Sequence, residues 1–223
     1  MRETRKTVHS SWLPVIAWTV LTAATFSALA DPPAALEADV TLTALAASAE
    51  PVRSEALASF DLRLAVEAGP GQWFFHAEAS TTPRSFGVAA WFPEINKDAG
   101  TALDGRGHGR VQLSEVYYEF AAGRGIWAAG LIDAPAYIDT SDIANDETRQ
   151  FLAATFVNNP TIPLPDYSPG VAWRYPAADG RRGFTFLLQS SHGLADNEDA
   201  SYRELVDFGE EAKGAFAALE TDT

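Results

Sequence analysis

Cysteine is absent from the 223 residues, which removes disulfide frameworks, thiolate metal centres and thiol nucleophiles together. Cationic side chains are scarce as well: 16 Lys and Arg stand against 30 Asp and Glu, a formal charge of −14. Affinity for a phosphate backbone is built from Lys and Arg, so neither nucleic acid nor an anionic lipid surface is an expected partner. After residue 30 no stretch approaches the roughly 20 uninterrupted apolar residues of a transmembrane helix, so any membrane role falls to strands. The four His include none in a His-Glu-x-x-His helix and none beside a Gly-x-Ser-x-Gly nucleophile. No enzyme activity, cofactor or metal site is therefore expected. Glycoside hydrolysis is the one catalytic class this composition leaves open, because its two carboxylates can lie far apart in sequence. What the chain does contain, 47% hydrophobic and 11% aromatic residues, is ample for a folded protein.

Arg2, Arg5 and Lys6 give a basic start, an apolar run covers 13–30, and the run closes on Ala28-Leu29-Ala30. This three-part pattern predicts a secretory leader, 1–30, cleaved after Ala30, with a mature domain of 31–223. A membrane anchor is the competing reading of the same run. Pro14, the Thr and Ser residues within it and the Ala-Leu-Ala site favour removal.

The mature chain alternates. Phe60, Leu62, Leu64 and Val66 fall on one face, with Ser59, Asp61, Arg63 and Glu67 on the other, the period of a half-apolar strand. Gly69-Pro70-Gly71 turns it into Trp73, Phe75, Ala77 and Ala79, interleaved with Phe74, His76, Glu78 and Ser80. The same period predicts strands at 38–47, 111–121, 127–131, 171–175, 184–188 and 215–219. Gly123-Arg124-Gly125 and Asp179-Gly180 supply two more turns. About eight strands joined by alternating short turns and long connections suit a transmembrane β-barrel; a secreted β-sandwich carbohydrate-binding module is the alternative. Trp73, Tyr118, Phe120, Trp127, Trp173, Tyr175 and Phe184 fall near strand ends, as interfacial aromatic girdles do.

Two long connections stand out. The first, 81–109, holds Gly105-Arg106-Gly107-His108-Gly109, which neither follows a strand nor opens a helix and reads as a surface loop rather than a phosphate cradle. The second, 134–169, is predicted to carry a short helix over 147–156, capped by Asn145 or Asp146. Pro160, Pro163 and Pro165 then hold the chain extended. Acidic groups at Asp139, Asp142 and Asp146, and at Asp196, Asn197, Glu198 and Asp199, lack the full spacing of a calcium loop and read as solvated.

The stretch Ile143-Ala144-Asn145-Asp146-Glu147-Thr148-Arg149-Gln150-Phe151-Leu152, followed by Phe156-Val157-Asn158-Asn159-Pro160-Thr161-Ile162-Pro163, resembles the signature of the carbohydrate-selective, OprB-like outer-membrane porins. Glu115-Val116-Tyr117-Tyr118-Glu119 and Gly130-Leu131-Ile132-Asp133, with Tyr137 and Asp139, resemble the strands leading into it. The resemblance is most specific over 111–190. It implies a Gram-negative outer-membrane location, an antiparallel barrel of about sixteen strands, and loops folded inward to narrow a channel for passive diffusion of mono- or oligosaccharides. About half of those strands are present before Thr223 and no aromatic residue closes the chain, which predicts an incomplete half-barrel that does not conduct alone.

On that reading the polar strand faces line the channel, with Asp61, Arg63, Glu67, His76, Glu78, Glu115, Tyr117 and Glu119 as its wall. Carboxylates and guanidinium groups offer sugar hydroxyls charge-assisted hydrogen bonds, and aromatic rings offer stacking planes. Asn145, Asp146, Glu147, Arg149, Gln150, Asn158 and Asn159 are the expected constriction. The plainer reading is that Asn145 and Asp146 cap a helix and Asn158-Asn159-Pro160 shapes a turn.

Overall fold

The computed structural model describes residues 20–28, 34–48, 50–92, 95–141, 143–159, 161–175, 183–194, 202–205 and 214–222. They form one all-β, antiparallel sheet: β1 (Val20–Ala28), β2 (Ala34–Leu45), β3 (Glu55–Ala68), β4 (Gly71–Ser80), β5 (Val111–Ala122), β6 (Gly125–Ile132), β7 (Ser168–Tyr175), β8 (Gly183–Ser190) and β9 (Ala215–Asp222). The spatial order is the sequence order, β1 to β9, so the sheet is a pure meander with β1 and β9 at its edges. All eight strands expected from the alternation are present. The ninth, β1, lies within the predicted leader and pairs with β2 from Val20↔Ala44 to Ala28↔Leu36. The basic start and most of the cleavage motif, the Asp179-Gly180 turn, Pro160, Asp142 and the 196–199 acidic group lie outside the described residues.

Short and long connections segregate to opposite ends of the sheet. Gly69-Pro70 and Gly123-Arg124 close two-residue hairpins, with Gly69 at φ 62 and Gly123 at φ 64, a conformation open to glycine without a steric penalty. The Tyr118 hydroxyl donates to the Ala68 carbonyl at 2.6 Å and braces the first of them. At the other end, 81–110 carries α1 (Val88–Trp91) and α2 (Lys97–Thr101), and 133–167 carries two 3-10 turns, Ala134–Ala136 and Ala154–Phe156.

The predicted helix over 147–156 does not form. Asp146 Oδ1 accepts from the backbone N–H groups of Thr148 (2.8 Å) and Arg149 (2.7 Å), as a cap does, but the chain makes only a single turn before Ala153 returns to extended backbone. Gln150 Oε1 accepts from Asn145 N and Asp146 N, 2.6 and 2.9 Å away, and closes this single turn on its own entry. The Asn158 N–H closes the lobe on the Ala144 carbonyl at 2.7 Å.

One face of the sheet buries polar side chains and the other exposes apolar ones. Thr41, Thr43, Ser59, Asp61, His76, Glu78, Gln112, Ser114, Glu115, Thr185 and Gln189 are buried, whereas Leu42, Phe60, Trp73, Val111, Leu113, Phe186, Leu188 and Leu219 are exposed. Register continues the apolar face across strands, as in Val66↔Trp73↔Tyr118↔Ala129↔Val171↔Leu188. Aromatic rings band this face near the short turns. Trp73 meets Tyr118 at 5.2 Å, Trp127 meets Trp173 at 5.7 Å, and Phe184 meets both Trp173 and Tyr175 at 5.0 Å. Such pairs are worth about 0.5–1.5 kcal/mol each beyond the area they bury.

The inner face is not uniformly polar. On β6 to β8, Ala128, Ile132, Ala172 and Leu187 form a small core with Ala134, Tyr137 and Ile138, on which the inward connection rests. A second cluster, Leu45, Leu57, Val88 and Ala99, seats the 81–110 connection. Between His76 and Ala77 the β4–β5 register shifts: His76 pairs with Glu115 and Ala77 with Leu113. Ser114 is the extra residue of a β-bulge, and both it and Glu115 are buried.

Candidate functional site

Two rows of polar side chains cross the inner face. Register places Asp39, Asp61, Glu78 and Gln112 in one row and Glu37, Arg63, His76 and Glu115 in the next. Like charges directly opposite one another destabilise a sheet, so the second row's cations have a structural task. Arg63 bonds Asp39 Oδ2 at 2.9 Å and lies 3.5 Å from Asp61 Oδ1. His76 Nε2 lies 2.8 Å from Asp61 Oδ1, and its Nδ1 lies 3.3 Å from Glu115 Oε2. The Ser114 hydroxyl donates to Glu78.

The long connections roof these rows. Asn96 caps α2 by accepting from Ala99 N at 3.1 Å, and α2 then presents Asp98 to the hydroxyl of Ser59 on β3. The Lys97 N–H bonds the Leu152 carbonyl at 2.8 Å, tying the two connections together. Arg149 reaches to 3.9 Å from Asp39 Oδ1, and Gln189 Nε2 holds the Pro165 carbonyl at 2.8 Å. Tyr167, buried and with φ 55, turns its ring edge to His76 at 6.3 Å. A positive φ is unfavourable for a bulky side chain and persists only where surrounding packing fixes it.

Between wall and roof lies a cavity of about 390 Å³, lined by ten carboxylates against Arg63, Lys97, Arg149 and His76. The roof carboxylates respond differently to this crowding. Burial, against the Ser59 hydrogen bond and with help from Asp61, pushes Asp98 up to about 7. Burial, then Asp166 and Glu115, pushes Asp133 well above its ordinary value. Asp146 is partly buried too, yet its Thr148 and Arg149 hydrogen bonds hold it below its ordinary value. The oxygens Asp133 Oδ1, Asn145 Oδ1 and Asn158 Oδ1, all on lining residues, are buried without a hydrogen-bond partner among the described residues.

Of the residues singled out from sequence, Arg63, Glu78, Glu115, Asn145, Asp146, Glu147, Arg149 and Asn158 are brought together on this cavity. Tyr117 is on the same sheet face but packs at a tilt against Phe74, ring centres 4.9 Å apart. Glu119 lies toward the short turns, where it joins Glu67 and Gln72 around another depression and binds Arg174. Gln150 is occupied with the backbone of its own lobe. Asn159 accepts from Thr161 N (3.0 Å) and Oγ1 (2.6 Å), the turn-shaping role of the plainer reading. In 105–109, Asp104 Oδ1 takes the Arg106 and His108 N–H groups at 2.9 and 2.8 Å, making a local turn. The sequence did not mark Glu37, Lys97, Asp98, Asp166 or Tyr167, and it placed Asp133 in the porin-like Gly130-Leu131-Ile132-Asp133 stretch without assigning it to the site. Only Glu37 carried a usable signal, since it continues the alternation of β2.

No known protein-family model matches the chain, and no solved structure matches it. An uncharacterized protein of Aquifex aeolicus (strain VF5) is 43% identical over 63 residues, 28% of this chain and 20% of the relative. The chain thus covers about a fifth of the length of that curated relative.

Proposed function

We propose that this chain is part of a porin-type transmembrane β-barrel of the Gram-negative outer membrane, and that its polar face lines a route for passive, selective diffusion of carbohydrates. The inverted sheet carries the reading. A sandwich buries its apolar face against a second sheet and leaves its polar face to water. Here Asp61, His76, Glu78 and Glu115 are enclosed while Phe60, Leu113, Phe186 and Leu188 are bare, the distribution that hydrocarbon outside and water inside would select. The aromatic band near the short turns supports it, as do the two long connections folded over the polar rows, which would narrow the route. Carboxylates, Arg63 and Arg149 give sugar hydroxyls charge-assisted partners.

The direct test is swelling of liposomes carrying the full-length gene product, with mono- and disaccharides as solutes. Sugar-dependent swelling is expected. A mature chain that purifies from the periplasm as a stable, detergent-free monomer would instead favour the secreted carbohydrate-binding module, and turnover of a glycoside, lost with one carboxylate, would favour a hydrolase. Export is part of the proposal: N-terminal analysis should find Asp31, in which case β1 is removed and β2 becomes the edge.

A further inference from the structure

We propose that Asp61, His76 and Glu78 form a binding site for a divalent transition-metal ion, zinc in the first instance, on the wall of the cavity. Their candidate ligand atoms all lie within 4.8 Å of one another, and all three residues are buried. Ligands around a tetrahedral ion with bonds of about 2.0–2.2 Å stand roughly 3.4 Å apart, so modest side-chain rotation completes the set. Asp61 and Glu78 are directly paired across β3 and β4, and His76 lies two residues before Glu78 on the same face. Ligands mounted on paired strands are held more firmly than ligands on loops.

Neighbouring side chains already hold these ligands in orientation. Glu115 Oε2 stands 3.3 Å from His76 Nδ1, the carboxylate–imidazole arrangement that fixes the ring of a metal ligand and leaves Nε2 for the ion. Nε2 faces Asp61 at 2.8 Å, and the Ser114 hydroxyl orients Glu78. Independently of this cluster, Asp133 Oδ1 is buried on the same cavity with no hydrogen-bond partner among the described residues. One imidazole with two carboxylates suits zinc, manganese or ferrous iron, whereas calcium and magnesium favour sets made of oxygen alone.

The full chain, folded in detergent, is titrated with zinc by calorimetry, and the zinc-loaded protein is examined by X-ray absorption. We expect one zinc per chain, one imidazole nitrogen in the coordination shell, and a loss of affinity of tenfold or more in His76→Gln and in Glu78→Gln. Asp104→Asn, on an exposed turn, should bind as the unaltered chain does. A shell without imidazole, unchanged affinity in His76→Gln, or displacement of zinc by equimolar calcium would each overturn the proposal. The absorption spectrum of the unaltered protein decides the matter even if a variant fails to fold. Binding is read without a membrane, so its failure leaves the transport reading standing, and a failed swelling assay leaves the metal site standing.

Discussion

At the scale of the residue, Asp98 shows how enclosure changes an acid. It sits on α2 against Ser59, with Asp61, Glu78 and Glu147 contributing negative potential, and burial raises it from 3.8 to about 7. Because the folded chain holds this proton more tightly than the unfolded chain does, its contribution to stability is complete below about 3.8 and is lost as pH rises through about 7. Asp98→Asn should flatten the stability profile between pH 5 and 8, and the variant should be the more stable protein at pH 8. Denaturant titrations at both pH values measure this; parallel profiles for the two proteins would show that Asp98 is not the group responsible. The wall residues around it were legible in the sequence because alternation alone assigns Asp61, Arg63, His76 and Glu78 to one face. Asp98, Asp133 and Tyr167 were not, since they reach the cavity through irregular connections whose path depends on tertiary contacts such as Lys97 N to Leu152 O.

At the scale of the element, strands were readable and helices were not. A strand with different solvents on its two faces writes a period of two into its sequence, and every such period became a strand. The 147–156 segment has a cap at Asp146 and an apolar side, but after one turn the chain is extended at Ala153 and is held by the Leu152 carbonyl on Lys97 N, so tertiary context overrode the helical period. The 13–30 run offered a different difficulty: an apolar run reads alike whether it is cleaved or pairs as β1. The outward face supplies a prediction. Leu62, which lies across from Ala38 and Ala77 in mid-strand, belongs to the apolar side, and Leu62→Arg should destabilise the protein folded in vesicles by about 2–4 kcal/mol if that face meets the middle of the bilayer. Equilibrium unfolding in lipid gives the value, and no measurable change would argue against lipid contact.

At the scale of the whole molecule, the linear order of nine strands leaves β1 and β9 as edges among the described residues. Unpaired backbone is not tolerated in hydrocarbon, so on the proposed reading both edges need partners, and a closed ring of about this many strands would fill with side chains rather than enclose a sugar. In a planar bilayer the 223-residue chain by itself should give no discrete conductance steps, whereas a product that continues through additional strands should. Regular steps from the short chain would point to copies that share their edges.

Ser114 has a further consequence, best put as a matter of parity. From Glu115 toward Glu119 the odd-numbered positions of β5 face inward; on the other side of the bulge Gln112 faces inward and Leu113 outward. One residue has been added to the count without altering which side chains lie on which face. Excising Ser114 should therefore leave both halves of β5 correctly sided and the chain able to fold, at the loss of the Glu78 hydroxyl partner. Excising Tyr117 instead should change the parity of everything before it, sending Glu115 outward and Val116 inward. Comparing the yields of folded protein from the two deletions measures this, and equal yields would mean that the strand does not keep count in this way.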